Sequence, residues 1–307
     1  MRSTEIEAFR AVMTTGSARK AAGLLGVTQP AISQSLKRLE DEAGFLLFQR
    51  LRSRLVPTPE AFDLLKEVER VFVGLSALEH KLLSLREFGV NRLDIACYPA
   101  FGLGFMPRAI ARLKSESKSK FLAQVSMQIL SSKEVQNRVA QGHSDFGLMA
   151  DEISLDGIEH STFADFSGVV VMPLGHALSR FKIIKPAQLA EVPFIALNPE
   201  DASRRRLEAR MQQQGIALQI AAVTPYAASV CELAMHGLGV GLVNPITAFD
   251  YAQRGLVVRK FAIDIQFRCL LALPAGRLLS GAAKQLLSVM RKQLANDEQG
   301  LARLMLH

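Results

Sequence analysis

The sequence predicts a mixed architecture: a small, mainly helical N-terminal domain, a long connecting helix and a larger α/β domain. The chain has 307 residues, more than one hydrophobic core usually organises, so several domains are expected. Apolar residues recur at helical spacing through roughly the first 90 residues, and short apolar strands then alternate with helices. That alternation predicts parallel sheets with helices on both faces.

Composition excludes several classes of protein. The chain is 49% hydrophobic and 21% charged, which is typical of globular domains, and no apolar run reaches the roughly 18 residues of a membrane span. The three cysteines, Cys97, Cys231 and Cys269, lack CxxC spacing, so we expect buried thiols and neither disulfides nor a zinc site. No metal or cofactor is predicted. The N-terminus lacks a basic segment followed by an apolar one, so we expect a cytoplasmic protein without membrane association.

The net positive charge permits a nucleic-acid partner but does not show which part of the chain would bind it. The 37 Lys and Arg exceed the 29 Asp and Glu by 8. Residues 1–58 include nine basic and five acidic residues, which give a net charge of +4, and the rest of the chain also has a net charge of +4. A sequence pattern must therefore identify the nucleic-acid surface.

Capping and turn residues mark the N-terminal helices. The spacing predicts a first helix over Ser3 to Thr15 and a second over Ala18 to Leu25. Gly26 and Val27 form a tight turn, and Thr28 is the N-cap of a third helix that ends at Gly44. Two helices joined by such a turn have the build of a helix-turn-helix, and the polar start of the second can reach base edges.

Three arginines follow the third helix at alternate positions, at Arg50, Arg52 and Arg54. This alternation predicts a β-wing whose arginines face phosphates or the minor groove. The alternative is a solvated loop.

A long helix is then expected from Pro59 to about Arg86, with an apolar stripe formed by Leu65, Val68, Phe72, Leu75 and Leu82. The stripe predicts a homodimer through a coiled coil, and the alternative is a helix packed on its own domain.

The α/β part starts near Asn91. Strands are expected at 92–97, 123–130, 146–149, 168–172, 194–197, 220–223, 240–243, 256–261 and 267–273. Helices are expected at 103–115, 133–141, 186–190, 204–213, 227–236 and 281–294.

The segment from Ser17 to Arg50, SARKAAGLLGVTQPAISQSLKRLEDEAGFLLFQR, closely resembles the winged helix-turn-helix of LysR-type transcriptional regulators. The turn at Gly142 to Asp145 and the stretch from Pro173 to Leu178 also resemble family segments. RLVPTPEA and FIALNPEDASRRRLE look most like regulators of octopine and nopaline catabolism.

The resemblance implies a regulator that binds double-stranded promoter DNA and senses a small metabolite, either an amino acid or an opine. It implies a winged helix-turn-helix at 1–58, a dimerisation helix and hinge at 59–90, and an effector-binding domain at 91–307. That domain would be two-lobed, like periplasmic solute-binding proteins, with lobe one at about 91–162 and 268–307 and lobe two at about 163–267. The family also implies a homotetramer built as a dimer of dimers.

The predicted DNA contacts divide into two kinds. Base readers are Gln29, Ser33 and Gln34, with Pro30 packing against a base methyl group. Phosphate contacts are Thr28, Lys37, Arg50, Arg52 and Arg54. Many relatives carry Arg where this chain has Gln34, so a preference for adenine over guanine is expected there.

The predicted effector contacts lie in loops that follow strands, where parallel sheets place ligands. They are Pro99, Ala100, Phe101, Ser131, Ser132, Asn198, Glu200, Asp201, Thr224, Tyr226 and Asn244. Ser131 and Ser132, at the start of a helix, suit a carboxylate, and Glu200 or Asp201 suits a cationic end.

Other functions fit the sequence less well. A thiol redox-sensing regulator is one alternative, although no basic neighbour marks a reactive cysteine. A small-molecule-processing α/β enzyme is another. The glycines from Gly237 to Gly241 follow a helix and precede a strand, whereas a nucleotide-binding loop follows a strand and precedes a helix. His143 and Asp145 are better explained as parts of a turn than as a catalytic pair. No catalytic residues are predicted, and the protein is not expected to be an enzyme.

Overall fold

The computed structural model describes residues 2–51, 54–88, 92–116, 124–153 and 155–305. The chain divides into two units, Met1–Glu79 and His80–His307. The division lies inside the long helix predicted to connect the domains. No helix within the described ranges combines the length and apolarity that crossing a membrane requires.

The first unit contains three short helices, a hairpin and the start of a long helix. In chain order these are α1 (Ser3–Thr15), α2 (Ala18–Leu25), α3 (Gln29–Ala43), β1 (Phe48–Leu51), β2 (Arg54–Pro57) and α4 (Pro59–Phe88). The three short helices match the sequence prediction. Their core is formed by Phe9, Val12, Ile32, Leu36 and Leu47, which are buried together.

The first half of α4 packs on the N-terminal domain. Val68 is buried in the core of that domain, and Leu65 and Phe72 lie against it. The guanidinium of Arg10 binds Glu69 at 2.8 Å and lies 4.4 Å from the centre of the Phe72 ring. This half of the predicted stripe therefore follows the alternative prediction, a helix packed on its own domain. The side chain of Leu75 lies outside the described residues.

The second unit alternates strands and helices. Its first half contains β3 (Arg92–Cys97), α5 (Pro99–Gly102), α6 (Phe105–Glu116), β4 (Gln124–Ile129), α7 (Ser132–Ala140), β5 (Phe146–Ala150), β6 (Ile158–Ser167) and β7 (Val169–Met172). There follow β8 (Ile183–Ile184), α8 (Pro186–Ala190), β9 (Pro193–Leu197), α9 (Ala202–Gln213), β10 (Gln219–Thr224) and α10 (Ala227–Met235). The last are β11 (Val240–Val243), α11 (Pro245–Ala252), β12 (Val257–Phe261), β13 (Gln266–Pro274) and α12 (Gly281–Leu304).

These strands form two sheets, one in each lobe. The sheet of lobe one has the order β4-β3-β5-β13-β6, and that of lobe two has the order β10-β9-β11-β7-β12-β8. Both sheets are mixed, so the prediction of parallel sheets was wrong in part. The strand β13 runs antiparallel to β5 and β6, and β7 runs antiparallel to β11 and β12. The reason is that β7 and β13 directly follow the two passages of the chain between lobes.

The passages lie a few residues away from the predicted boundaries. β6 runs to Ser167 and β13 starts at Gln266, both in the sheet of lobe one. Lobe two therefore extends from about Gly168 to Ile265, whereas 163–267 was predicted. The sequence did not indicate β6 because its first half is largely exposed and polar.

A partly buried ion cluster joins the lobes away from the sheets. Arg108 on α6 of lobe one binds Asp250 on α11 of lobe two, and its other terminal nitrogen binds Asp297 of α12 at 2.7 Å. Asp297 is only 2% exposed. The helix α12 packs along α6 and α11, starting in the core of lobe one and ending with Leu301 in the core of lobe two. We call Arg108, Asp250 and Asp297 the interlobe clamp.

Candidate functional site

The helix α3 presents a polar face to solvent. Ile32, Leu36 and Leu39 point into the N-terminal core. On the opposite side all the predicted contacts on this helix and its cap are exposed, namely Thr28, Gln29, Pro30, Ser33, Gln34 and Lys37. This helix therefore offers a continuous row of amide, hydroxyl and ammonium groups, the groups that bind base edges and phosphates.

The hairpin is held against the end of the same helix. The carboxylate of Glu40 accepts hydrogen bonds from the backbone N–H groups of Leu47 and Phe48, at 2.8 and 3.0 Å. The hydroxyl of Thr58 binds the carbonyl of Leu46 at 3.0 Å, just after the hairpin closes. The predicted wing is thus built and positioned by α3 itself.

The arginines of the wing are described only in part. β1 pairs with β2 antiparallel, with Arg50 opposite Leu55 and Leu51 opposite Arg54. Arg52 lies outside the described residues, as do the side chains of Arg50 and Arg54. Their contacts with phosphate remain a prediction.

A cleft of about 370 Å³ separates the lobes of the second unit. This volume lies within the usual range for small-molecule sites. Most of the predicted effector residues line it together, namely Pro99, Ala100, Ser131, Ser132, Asn198, Glu200, Asp201, Tyr226 and Asn244.

Two predicted effector residues do not line the cleft. Phe101 is fully buried in the core of lobe one, with its ring centre 5.0 Å from that of Phe105. Thr224 is also buried, and its hydroxyl accepts a hydrogen bond from the backbone N–H of Tyr226 at 3.5 Å. Both predictions were wrong because a position near the end of a strand does not fix the direction of a side chain: Phe101 lies in α5, and Thr224 is the last residue of β10.

Several polar lining residues were missed by the sequence prediction. They are Tyr98, Lys133, Asp151, Glu152, Ser203, Arg206 and Arg268. Asp151 and Glu152 directly follow β5, so the rule that located the other loops would also have found them. Arg206 lies one turn into α9, and the sequence alone does not indicate that this turn faces the cleft.

Most of the helix N-termini around the cleft are capped by the chain's own side chains. Ser131 and Glu134 form a reciprocal capping box at α7, while Asp201 caps α9 and Asn244 caps α11. The Glu134 carboxylate takes both the backbone N–H and the hydroxyl of Ser131, at 3.0 and 2.6 Å. At α10, by contrast, the N-cap residue Tyr226 makes no capping hydrogen bond with its side chain within the described structure.

Charged groups of the two lobes meet in the cleft. Arg206 of lobe two binds the carboxylate of Asp151 in lobe one and donates to the carbonyl of Gln266 at 2.8 Å. Beside it, burial raises the pKa of Glu152 to about 7, and the carboxylates of Asp201 and Asp151 act in the same direction. The opposing lobes are therefore in electrostatic contact through the lining of the cleft.

The three thiols are inaccessible. Cys97, Cys231 and Cys269 are all buried and unbridged. Burial raises the pKa of Cys97 to about 12 and also raises the pKa values of Cys231 and Cys269 well above the ordinary value of a thiol. These are the properties of structural cysteines and the opposite of those of redox-sensing ones.

The glycine-rich segment after α10 has a packing role. It connects α10 to β11, the order that the sequence indicated. A Cβ at Gly239 would lie 2.2 Å from the carbonyl oxygen of Pro193, so only glycine fits. Among the described residues, no three His, Cys, Asp or Glu side chains come together as a metal site.

Two family models match the chain. Residues 3–61 match the bacterial regulatory helix-turn-helix protein of the lysR family, and residues 88–295 match the LysR substrate binding domain. The first contains the exposed face of α3, and the second contains the cleft.

Curated relatives agree with these matches. The chain is 35% identical to the transcriptional activator protein LysR of Escherichia coli K12, over 89% of this chain and 86% of that protein. It is 30% identical to the octopine catabolism/uptake operon regulatory protein OccR of Rhizobium meliloti, over 86% of both. The resemblance to an octopine regulator is thereby confirmed.

A solved structure confirms the architecture. Full-length CbnR in complex with its target DNA has a TM-score of 0.54 at 18% identity, covering 95% of this chain and 100% of that one. At that identity the similarity concerns the fold. Together with the family models and the curated relatives, it shows that this chain belongs to the LysR family of DNA-binding transcriptional regulators with an effector-binding domain.

Proposed function

We propose that α3 enters the major groove of promoter DNA and reads base edges through Gln29, Ser33 and Gln34. Pro30 packs against a base methyl group, and the phosphates are held by Thr28, Lys37, Arg50, Arg52 and Arg54. The observation that carries this proposal is the exposed polar face of α3, which lies opposite the three side chains, Ile32, Leu36 and Leu39, that anchor the helix in the core. Side chains of this size and polarity reach base edges from a helix in the groove.

We further propose that the interlobe cleft binds the effector, an amino acid or an opine. Its carboxylate binds at the N-terminus of α10, beside Tyr226 and Ala227, which line the cleft. Free N–H groups in the first turn of a helix attract anions. Ser131 suits this role less well than expected, because Glu134 already occupies its donors. Ser132, whose hydroxyl accepts from the N–H of Ala150 at 3.1 Å, remains a lining residue.

The assembly we propose is a homodimer through α4, extended to a homotetramer. Val71, Leu78 and Leu82 of this helix are more than half exposed and recur at spacings of seven and four, on one helical face. The protein would act in the cytoplasm, where bacterial promoters lie, and would regulate transcription without catalysing a reaction.

Footprinting on the chain's own promoter tests this function. Purified full-length protein should protect a promoter segment and, because the effector moves the lobes, octopine or L-arginine should change the length or pattern of protection. An unrelated DNA of equal length is the control. Protection that does not distinguish the promoter from control DNA would contradict the DNA-reading role, and footprints that are unchanged by compounds shown to bind would contradict the switch.

A further inference from the structure

The cleft brings an acidic side chain from each lobe together. Glu152 follows β5 in lobe one, and Asp201 precedes α9 in lobe two. The two carboxylates interact electrostatically. The hydroxyl of Ser132 and the backbone N–H of Ala202 also bind Glu152, so this side chain already reaches the first turn of α9 in the other lobe.

The basic groups of the cleft bind other partners. Arg206 binds Asp151, Arg268 binds Asp165 at 2.9 Å, and Lys133 binds the amide oxygen of Gln136 at 2.8 Å. The charges that act most strongly on Glu152 are therefore negative ones, from Asp201 and Asp151. The charged groups that line the cleft besides Glu152 are Lys133, Asp151, Glu200, Asp201, Arg206 and Arg268.

We propose that Glu152 and Asp201 form a subsite for a cationic group of the effector, an ammonium or guanidinium, held between the two lobes. The inference rests on the proposed function and narrows the effector class. A cation placed there relieves the repulsion between the carboxylates and links the lobes by charge-assisted hydrogen bonds. Glu152 is the specificity-determining residue of this subsite, in place of Glu200, which is exposed.

Binding of a cation at this subsite is coupled to the release of a proton from Glu152. With a pKa of about 7, roughly half of the Glu152 carboxyls carry a proton at pH 7. A cation binds the ionised form, so it lowers that pKa and releases about half a proton for each molecule bound at pH 7. The ionised fraction rises about tenfold between pH 6 and pH 8, and the affinity for a cationic effector should rise by the same factor.

Isothermal titration calorimetry on the full-length protein tests the proposal. The cationic probes are L-lysine, L-ornithine, L-arginine and octopine. L-Norleucine and L-citrulline are neutral counterparts of lysine and arginine with almost the same shape. Phosphate and Tris buffers, which differ in ionisation enthalpy, reveal proton release. We expect at least one cationic probe to bind at least tenfold more tightly than its neutral counterpart, with proton release at pH 7.

The variant Glu152→Gln keeps the shape of the side chain and removes its charge. It should lose the tenfold preference for the cation, the proton release and the rise in affinity from pH 6 to pH 8. Glu191→Gln is the matched control, because Glu191 is exposed and does not line the cleft. Circular dichroism and retained promoter binding show that the variant is folded.

Several results would overturn the proposal. They are equal binding of the cationic and neutral probes, wild-type behaviour of Glu152→Gln, proton uptake, or no binding by any cationic probe. Titrations with succinate and benzoate, which carry no cationic group, distinguish failure of the cation subsite from failure of the proposed effector site. If either compound binds in the cleft independently of Glu152, the proposed effector site is supported and only the proposed cation subsite is contradicted. If no probe binds at all, the effector proposal falls with it.

Discussion

At the scale of single residues, the exposed face of α3 combines two kinds of DNA contact. Gln34 has an amide, which can donate to one base atom and accept from another, as adenine requires. Lys37 lies three residues further along the exposed face and carries a point charge suited to a phosphate. Both side chains are exposed, so the effects of replacing them can be compared.

Replacing these two side chains by alanine should have different consequences. Gln34→Ala should relax the preference at one base pair by about 1–3 kcal/mol, because a bidentate contact is lost. Lys37→Ala should weaken binding to all sequences and reduce the slope of log affinity against log salt by about 1. Fluorescence anisotropy with single-base operator variants at several salt concentrations measures both effects.

Gln212→Ala is the control for this comparison, since Gln212 is exposed on α9 of the effector-binding domain. An unchanged base preference in Gln34→Ala would show that this side chain does not read the DNA.

The residues of the cleft show what a sequence can and cannot predict at this scale. The rule that loops after strands surround a ligand located Pro99, Ser131 and Asn198, because that rule depends only on the order of elements. It was wrong for Phe101, whose ring points into the core. The pKa of Glu152 is raised first by burial and then by the charge of Asp201, which lies 49 residues away in the chain. The spacing of these residues in the sequence does not indicate that they come close together.

At the scale of elements, the interlobe clamp depends on a glycine. A Cβ added at Gly104 would lie 1.9 Å from the carboxylate oxygen of Asp250. That carboxylate is held by Arg108, which also binds the buried Asp297. The start of α6 can therefore approach α11 closely only because residue 104 lacks a side chain.

Gly104→Ala should push Asp250 out of the clamp. The guanidinium of Arg108 would lose one of its two carboxylate partners, and we expect a loss of about 1–3 kcal/mol in the stability of the effector-binding domain. Urea denaturation followed by circular dichroism measures the change.

Gly281→Ala is the matched control, because an added Cβ there meets nothing within 4 Å. If both variants unfold at the wild-type urea concentration, the clamp contributes nothing to stability.

Most elements fixed by local chemistry were predicted from the sequence, whereas a strand fixed by distant pairing was missed. The structure confirms the predicted bounds of α1, α2 and α3, and each of these helices ends at a glycine in the left-handed conformation, Gly16, Gly26 and Gly44. The strand β6 is held mainly by β13, about a hundred residues later, and was missed. The helix α11 was also missed, although Asn244 as its N-cap and Pro245 as its first residue are ordinary start signals.

At the scale of the whole molecule, α4 divides its apolar residues between two tasks. Leu65, Val68 and Phe72 belong to the N-terminal core. Val71 and Leu78 are each 56% exposed and Leu82 is 58% exposed. The predicted stripe combined Leu65, Val68 and Phe72 with Leu82 because all four fit helical spacing. Only tertiary packing separates Leu82 from the other three.

Charging the exposed set should abolish the dimer. The double variant Leu78→Glu with Leu82→Glu places carboxylates opposite each other in a coiled coil, and desolvating them is unfavourable. We expect half the wild-type mass, or less, in sedimentation velocity or light scattering, together with weaker operator binding.

Phe62→Glu serves as the control, because Phe62 is also exposed and lies on the opposite side of α4 from Val71. An assembly of unchanged mass in the double variant would show that the protein associates through another surface.

The order of strands also constrains how the protein is made on the ribosome. The strands of lobe two, from β7 to β12, lie in one continuous stretch of chain, whereas β13 fills the gap between β5 and β6 in the sheet of lobe one. During synthesis all the strands of the second lobe thus leave the ribosomal tunnel while the first lobe still lacks an interior strand. Until β13 emerges, the edges of β5 and β6 stay open to mispairing. The pairing of β13 with these two strands is therefore the event that protects the nascent chain from mispairing.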